Sequence, residues 1–163
     1  MKISKYYSCF ISYSHQDKEF AKWLHDALTE KGVNCWLDEK MLAPGDKVVN
    51  QIDLGIKKWD KILLCCSEHS LKSYWVNDEI SKTFTKEEKL WKERNQEVLA
   101  LIPLNLDGFL FKWDGAVANR LKDRFAPNFQ GWQEDLSRHQ PLIDDLIKAL
   151  NIKGRKGPPK PNL

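Results

Sequence analysis

The run Lys61-Ile62-Leu63-Leu64-Cys65-Cys66-Ser67 holds five consecutive apolar residues between polar ends. A strand with one face in water alternates apolar and polar side chains; a strand without alternation is buried on both faces, and such strands belong to parallel sheets covered by helices. Val98-Leu99-Ala100-Leu101-Ile102-Pro103-Leu104 repeats the pattern. Two further segments, Tyr6 to Tyr13 and Val33 to Leu37, are rich in aromatic and β-branched residues and read as strands. Between them the apolar period changes from strand to helix. Phe20, Trp23, Leu24, Ala27 and Leu28 form one helical stripe, ended by Gly32; Val48, Ile52, Ile56 and Trp59 form a second; Trp75, Val76, Ile80 and Phe84 form a third. Strand and helix alternate, which predicts an α/β fold with a parallel sheet between two helical layers. Ligands of such sheets gather at the carboxyl ends of the strands.

The remaining segments are less regular. Asp38 to Asp46 is a polar connection with Pro44-Gly45 at its turn. Asn105 to Pro127 reads as irregular with short helices, and Leu142, Ile143, Leu146, Ile147 and Leu150 give a last amphipathic helix. Residues 153–163, with two glycines, three prolines and four basic side chains, read as a disordered tail or linker after a domain over 1–152. Locally, Ser14-x-x-Asp17 has the form of a capping box. His25 and His139 read as surface residues, His69 as a loop residue, and Trp23, Trp59 and Trp91 as packing residues.

Composition narrows the function. A chain of 163 residues, 42% hydrophobic, builds one core and one domain. It has no stretch of about 20 apolar residues to cross a bilayer, and Met1-Lys2-Ile3-Ser4-Lys5 lacks the apolar core of a secretory signal, so a cytoplasmic protein without membrane attachment is expected. The formal charge of +3 sits in the tail: without its four bases, 22 basic residues face 23 acidic ones. That balance gives no basic face for nucleic acid. Cys9, Cys35, Cys65 and Cys66 all fall in strand-like runs without metal-ligand spacing, so they are expected to be reduced, packed thiols, with no metal site.

Three boxes occur in a fixed order. Phe10-Ile11-Ser12-Tyr13-Ser14 follows the first strand, Trp36-Leu37-Asp38 and Leu42-Ala43-Pro44-Gly45 follow the second, and Trp75-Val76-x-x-Glu79-Ile80 opens the third helical stripe. Together they resemble the Toll/interleukin-1 receptor (TIR) domain, its bacterial branch above all, over Tyr6 to about Leu104. The resemblance implies a flavodoxin-like sheet of about five parallel strands with helices on both faces. It also implies one of two functions. One branch of the family cleaves NAD+ between nicotinamide and ribose, giving nicotinamide and ADP-ribose or a cyclic isomer, in signalling or defence; the other only binds further TIR domains as a scaffold.

For the cleaving branch, the resemblance assigns Glu79 as the catalytic carboxylate. It brings Tyr13, Ser14, His15, Trp36, Leu42, Ala43 and Trp75 around the substrate, and makes Leu42, Pro44 and Gly45 the self-association loop for head-to-tail contacts between TIR domains. The related animal enzyme carries basic residues where this chain has Ser14 and His15. NAD+ is then the substrate, and no separate cofactor is implied. The chemistry fits a lone carboxylate: expelling a neutral pyridine leaves positive charge on the ribose, as in glycoside cleavage, and a fixed anion opposes that charge. At i and i+4 of one helix, Trp75 and Glu79 share a face. No Ser-His-Asp pattern supports a hydrolase triad, and neither G-x-x-x-x-G-K nor G-x-G-x-x-G occurs.

Overall fold

The computed structural model describes residues 6–37, 60–72, 76–94, 101–124, 126–134 and 136–151. Within them a parallel sheet has four strands, β1 (Cys9–Ser12), β2 (Cys35–Trp36), β3 (Lys61–Cys66) and β4 (Leu101–Asn105), in the order β2-β1-β3-β4. The expected doubly covered parallel sheet is therefore present, with four strands among the described residues against the five the resemblance implied. The helices are α1 (Lys18–Glu30), α2 (Glu68–Leu71), α3 (Val76–Arg94), α4 (Ala116–Lys122) and α5 (Leu136–Leu150).

The apolar run of β3 does what its pattern requires. Paired with β1 on one side and β4 on the other, all six of its residues are buried. Ile62, Leu64 and Cys66 pack into one core with Phe10, Ile80, Phe84 and Leu121, under α3 and α4. Leu63 and Cys65 pack into a second core on the opposite face with Phe20, Leu24, Ile143 and Leu146, under α1 and α5. Adjacent residues of a strand point to opposite faces, so Cys65 and Cys66 serve different cores. Trp23 is packing, as expected: it stacks on Trp132 at 5.2 Å and meets Phe20 and Phe129.

Gly32 ends α1 as read from its position. Its φ of +89° is the left-handed conformation that a side chain disfavours. The Gly32 amide then donates to Thr29 and the Val33 amide to Leu28, while Val33 and Leu28 join one core. Three local expectations are corrected. Ser14 does not form a capping box with Asp17; its hydroxyl donates to Gln16 Oε1 at 2.6 Å. His139 is not on the surface: it is 3% exposed, stacked on Phe129, with Nε2 at 3.0 Å from the Gln130 carbonyl. His25 is likewise half-buried against the Cys35 carbonyl, at 3.1 Å. The segment Asn105 to Pro127 contains the expected short helices, a 3-10 turn at Phe109–Phe111 and α4.

All four cysteines are free. Burial pushes the Cys66 thiol up to about 12 and the Cys65 thiol well above its usual range, and a hydrogen bond to Cys35 together with burial does the same for Cys9. The thiolate is the reactive form. Iodoacetamide at about pH 8 should therefore modify the native protein at Cys35 alone, the one half-buried cysteine, and all four thiols after denaturation. Peptide mass mapping checks this; rapid native labelling of Cys65 or Cys66 would contradict the packing.

Candidate active site

Because every strand runs the same way, the segments leaving their carboxyl ends share one edge of the molecule. Tyr13, Ser14 and His15 leave β1 there, Leu37 leaves β2, Ser67 leaves β3, and Leu106 to Gly108 leave β4. The order β2-β1-β3-β4 also fixes where a crevice opens. The chain passes from β1 to its neighbour β2 and then returns across β1 to β3, so the switch point lies between β1 and β3. The open crevice of such sheets lies there.

Of the expected site residues, Tyr13 and Ser14 are half-buried and His15 is exposed in the 3-10 turn His15–Asp17. Tyr13 packs against the core under α1, and Trp36 stacks on Phe10 with ring centroids 4.9 Å apart. Tyr13, Ser14 and His15 thus follow the end of β1 together, whereas Trp36 stands opposite Phe10 in register and packs on the other face of the sheet from Tyr13. Glu79 lies on α3, fourth among its described residues. Leu42, Ala43, Pro44, Gly45 and Trp75 lie outside the described residues.

Between the strand ends runs a set of polar contacts that the sequence did not announce. The Ser67 hydroxyl donates to Asp17 Oδ2 at 2.5 Å and accepts from the Ser70 amide at 3.2 Å. The Ser67 amide donates to Ser70 Oγ, so the true capping box of this edge is Ser67 with Ser70, opening α2. His69, expected in a loop, is therefore helical. Asp107 accepts from the Glu68 amide at 2.9 Å and from the Phe109 amide at 3.0 Å. The chain linking the ends of β1, β3 and β4 is made of side chains far apart in sequence. The signal available was Ser67-x-x-Ser70 directly after the apolar run, a helix start in its own right.

Burial raises the Asp17 carboxyl above its ordinary range; the Ser67 hydrogen bond and His69 oppose the rise, and Asp107 adds to it. The sign follows. A carboxyl raised in the folded state favours folding below its unfolded value of 3.8, and that contribution is lost as pH rises through the folded value. Asp17→Asn, which cannot ionise, should accordingly melt no lower than the parent protein at neutral pH. Any advantage should fade as pH falls through the raised value towards 3.8. Thermal melts across pH read this directly, and a variant that melts lower at neutral pH would contradict it. Among the described residues, no group of three or more His, Cys, Asp or Glu side chains is placed to hold a metal ion, and no helix is long and apolar enough to cross a membrane.

A family model described as a TIR domain matches residues 9–140. The chain is 36% identical over 90 residues to a probable 2' cyclic ADP-D-ribose synthase of Methanobrevibacter olleyae, covering 53% of this chain and 26% of the relative. It is 33% identical over 82 residues to an NAD(+) hydrolase of Escherichia coli, covering 50% and 27%. The match spans about a quarter of the length of these curated relatives. Among solved structures, a metazoan TIR-STING receptor from C. gigas in complex with 2',3'-cGAMP aligns with a TM-score of 0.62 at 22% identity, over 93% of this chain and 41% of that one. The TIR domain of a Toll-related receptor from Hydra magnipapillata aligns at 0.60 and 14% identity, over 88% and 98%. At these identities the structures speak for the fold.

Proposed function

The chain belongs to the TIR domain family, and from that premise we propose that it cleaves NAD+ at the bond between nicotinamide and ribose, releasing nicotinamide and ADP-ribose or a cyclic isomer of it. The observation that carries this reading is the similarity, at 33–36% identity across half of the chain, to curated relatives named as an NAD(+) hydrolase and a cyclic ADP-ribose synthase. Glu79 supports it from within the sequence, as the acid of the Trp75-Val76-x-x-Glu79-Ile80 box, carried on α3.

In this reading NAD+ lies along the carboxyl edge of the sheet and is consumed as substrate, with no resident cofactor. Tyr13, Ser14, His15 and Trp36 border it from the ends of β1 and β2, and Leu42, Ala43 and Trp75 complete its surround. Glu79 accepts hydrogen bonds from the ribose hydroxyls and opposes the cation that grows as the pyridine departs. Leu42, Pro44 and Gly45 form the contact by which copies associate head to tail, a heterologous arrangement that can propagate.

Purified protein incubated with NAD+ should release free nicotinamide, and more of it when immobilised or crowded. Mass analysis of the sugar product separates the two outcomes, because linear and cyclic ADP-ribose differ by one water. No nicotinamide under any of these conditions would leave a scaffold that binds other TIR domains.

A further inference from the structure

We infer that Asp17 is a positioning residue for this reaction, acting through Ser67 to set the width of the crevice between β1 and β3. The inference rests on the NAD+-cleaving reading and adds to it a residue that touches no reacting atom. Asp17 is the residue from which α1 starts, on one face of the sheet. Ser67 is the residue from which α2 starts; Leu71 of α2 enters the core on the other face, and the chain then continues into the helix bearing Glu79. The bond from Ser67 Oγ to Asp17 Oδ2 therefore crosses the switch point and joins the two helical layers where a doubly wound sheet otherwise leaves them apart.

Its surroundings make the bond a fixed length. Ser67 is 2% exposed and its hydroxyl is also engaged by the Ser70 amide; Ser70 is 1% exposed, and its own hydroxyl donates to the Cys65 carbonyl at 2.7 Å. The Ser67 end is thus anchored to the strand itself. At the other end, the Asp17 amide donates to the Ser14 carbonyl at 2.8 Å, so the position of Asp17 sets that of the turn carrying Ser14 and His15. A half-buried carboxyl disfavoured by its own burial is a poor choice for stability alone. Such groups cluster where geometry matters to function. The bridge ties the β1 turn on one wall to the segment leading into the Glu79 helix on the other.

A misplacement of about 1 Å at a reacting centre costs on the order of a hundredfold in rate. Asp17→Ala and Ser67→Ala should each lower kcat by about ten- to a hundredfold while KM moves by less than about threefold, and the double variant should be no slower than the worse single one. Asp17→Asn, which keeps an oxygen acceptor for the Ser67 hydroxyl, should recover most of what Asp17→Ala loses. Steady-state kinetics in the assembled state, each beside a melting curve, are the measurement. If the parent protein releases nicotinamide and the single variants keep their kcat, or their losses multiply in the double variant, or the losses follow falling melting temperatures, Asp17 has no such role. If the parent itself releases none, the hydrolase reading fails and takes this assignment with it.

Discussion

Glu79→Gln should lower NAD+ turnover by two to three orders of magnitude or more, the loss typical when a leading electrostatic group is removed from an active site. Glutamine has the shape of glutamate and keeps a carbonyl oxygen for the ribose hydroxyls; what it lacks is charge. The ground state of NAD+ already carries its positive charge on the pyridinium ring, and as the glycosidic bond stretches that charge moves to the ribose. An anion fixed beside the sugar thus gains most of its interaction in the transition state, and interactions of that kind raise kcat rather than tighten binding. The expected signature is a collapse of kcat with KM little altered. Nicotinamide release at saturating NAD+, with the melting temperature as a folding control, measures it. Turnover within a few-fold of the parent protein would place the chemistry on another residue.

The second large effect is on stability and lies at the opposite edge of the sheet. Glu87 of α3 is 5% exposed; its Oε1 accepts from the Leu101 amide at 3.0 Å and from Arg124 Nη1 at 2.7 Å, and its Oε2 pairs with Arg124 Nη2. Arg124 also donates to the Leu101 carbonyl at 2.8 Å and lies over the Phe84 ring at 4.7 Å. The first residue of β4 is thereby held by both ends of an ion pair. Arg124→Ala takes the paired guanidinium away from a buried carboxylate, and breaking a buried ion pair in this way costs about 3–5 kcal/mol. At about 2–4 °C per kcal/mol for a domain of this size, the melting temperature should fall by on the order of 10 °C. Replacing both partners with apolar residues of similar volume should return much of that loss, because the buried carboxylate is removed together with the guanidinium. Denaturant unfolding of the single and double variants decides the matter; a double variant less stable than both singles would show that the pair is worth more than its burial.

These two residues mark what could be read from the chain and what could not. The parallel sheet was legible because the unbroken apolar run Ile62 to Cys66 and the periodic stripes on α1 and α5 are local patterns. Gly32 was legible for the same reason, as one position with one conformational demand. Glu79 is assigned through a motif and its order relative to two other boxes. Glu87 sits within a highly charged stretch where no local pattern sets it apart, because its partner Arg124 is 37 residues away. Asp17 and Ser67, 50 residues apart, were hidden likewise, and the local pattern Ser14-x-x-Asp17 pointed to a cap that the folded chain does not use. His139 misled because nothing in its neighbours foretells that Phe129 will stack on it. Contacts made by closing the sheet leave no trace in a window of a few residues.

The ion pair grips the amino end of β4, whereas the loops proposed to face NAD+ leave the carboxyl ends, and a six-residue strand such as β3 spans about 20 Å between the two rims. Changes that far apart add almost independently. Shelf life and chemistry can therefore be engineered as separate traits, with a hardened scaffold made by altering one rim while the other keeps its turnover number.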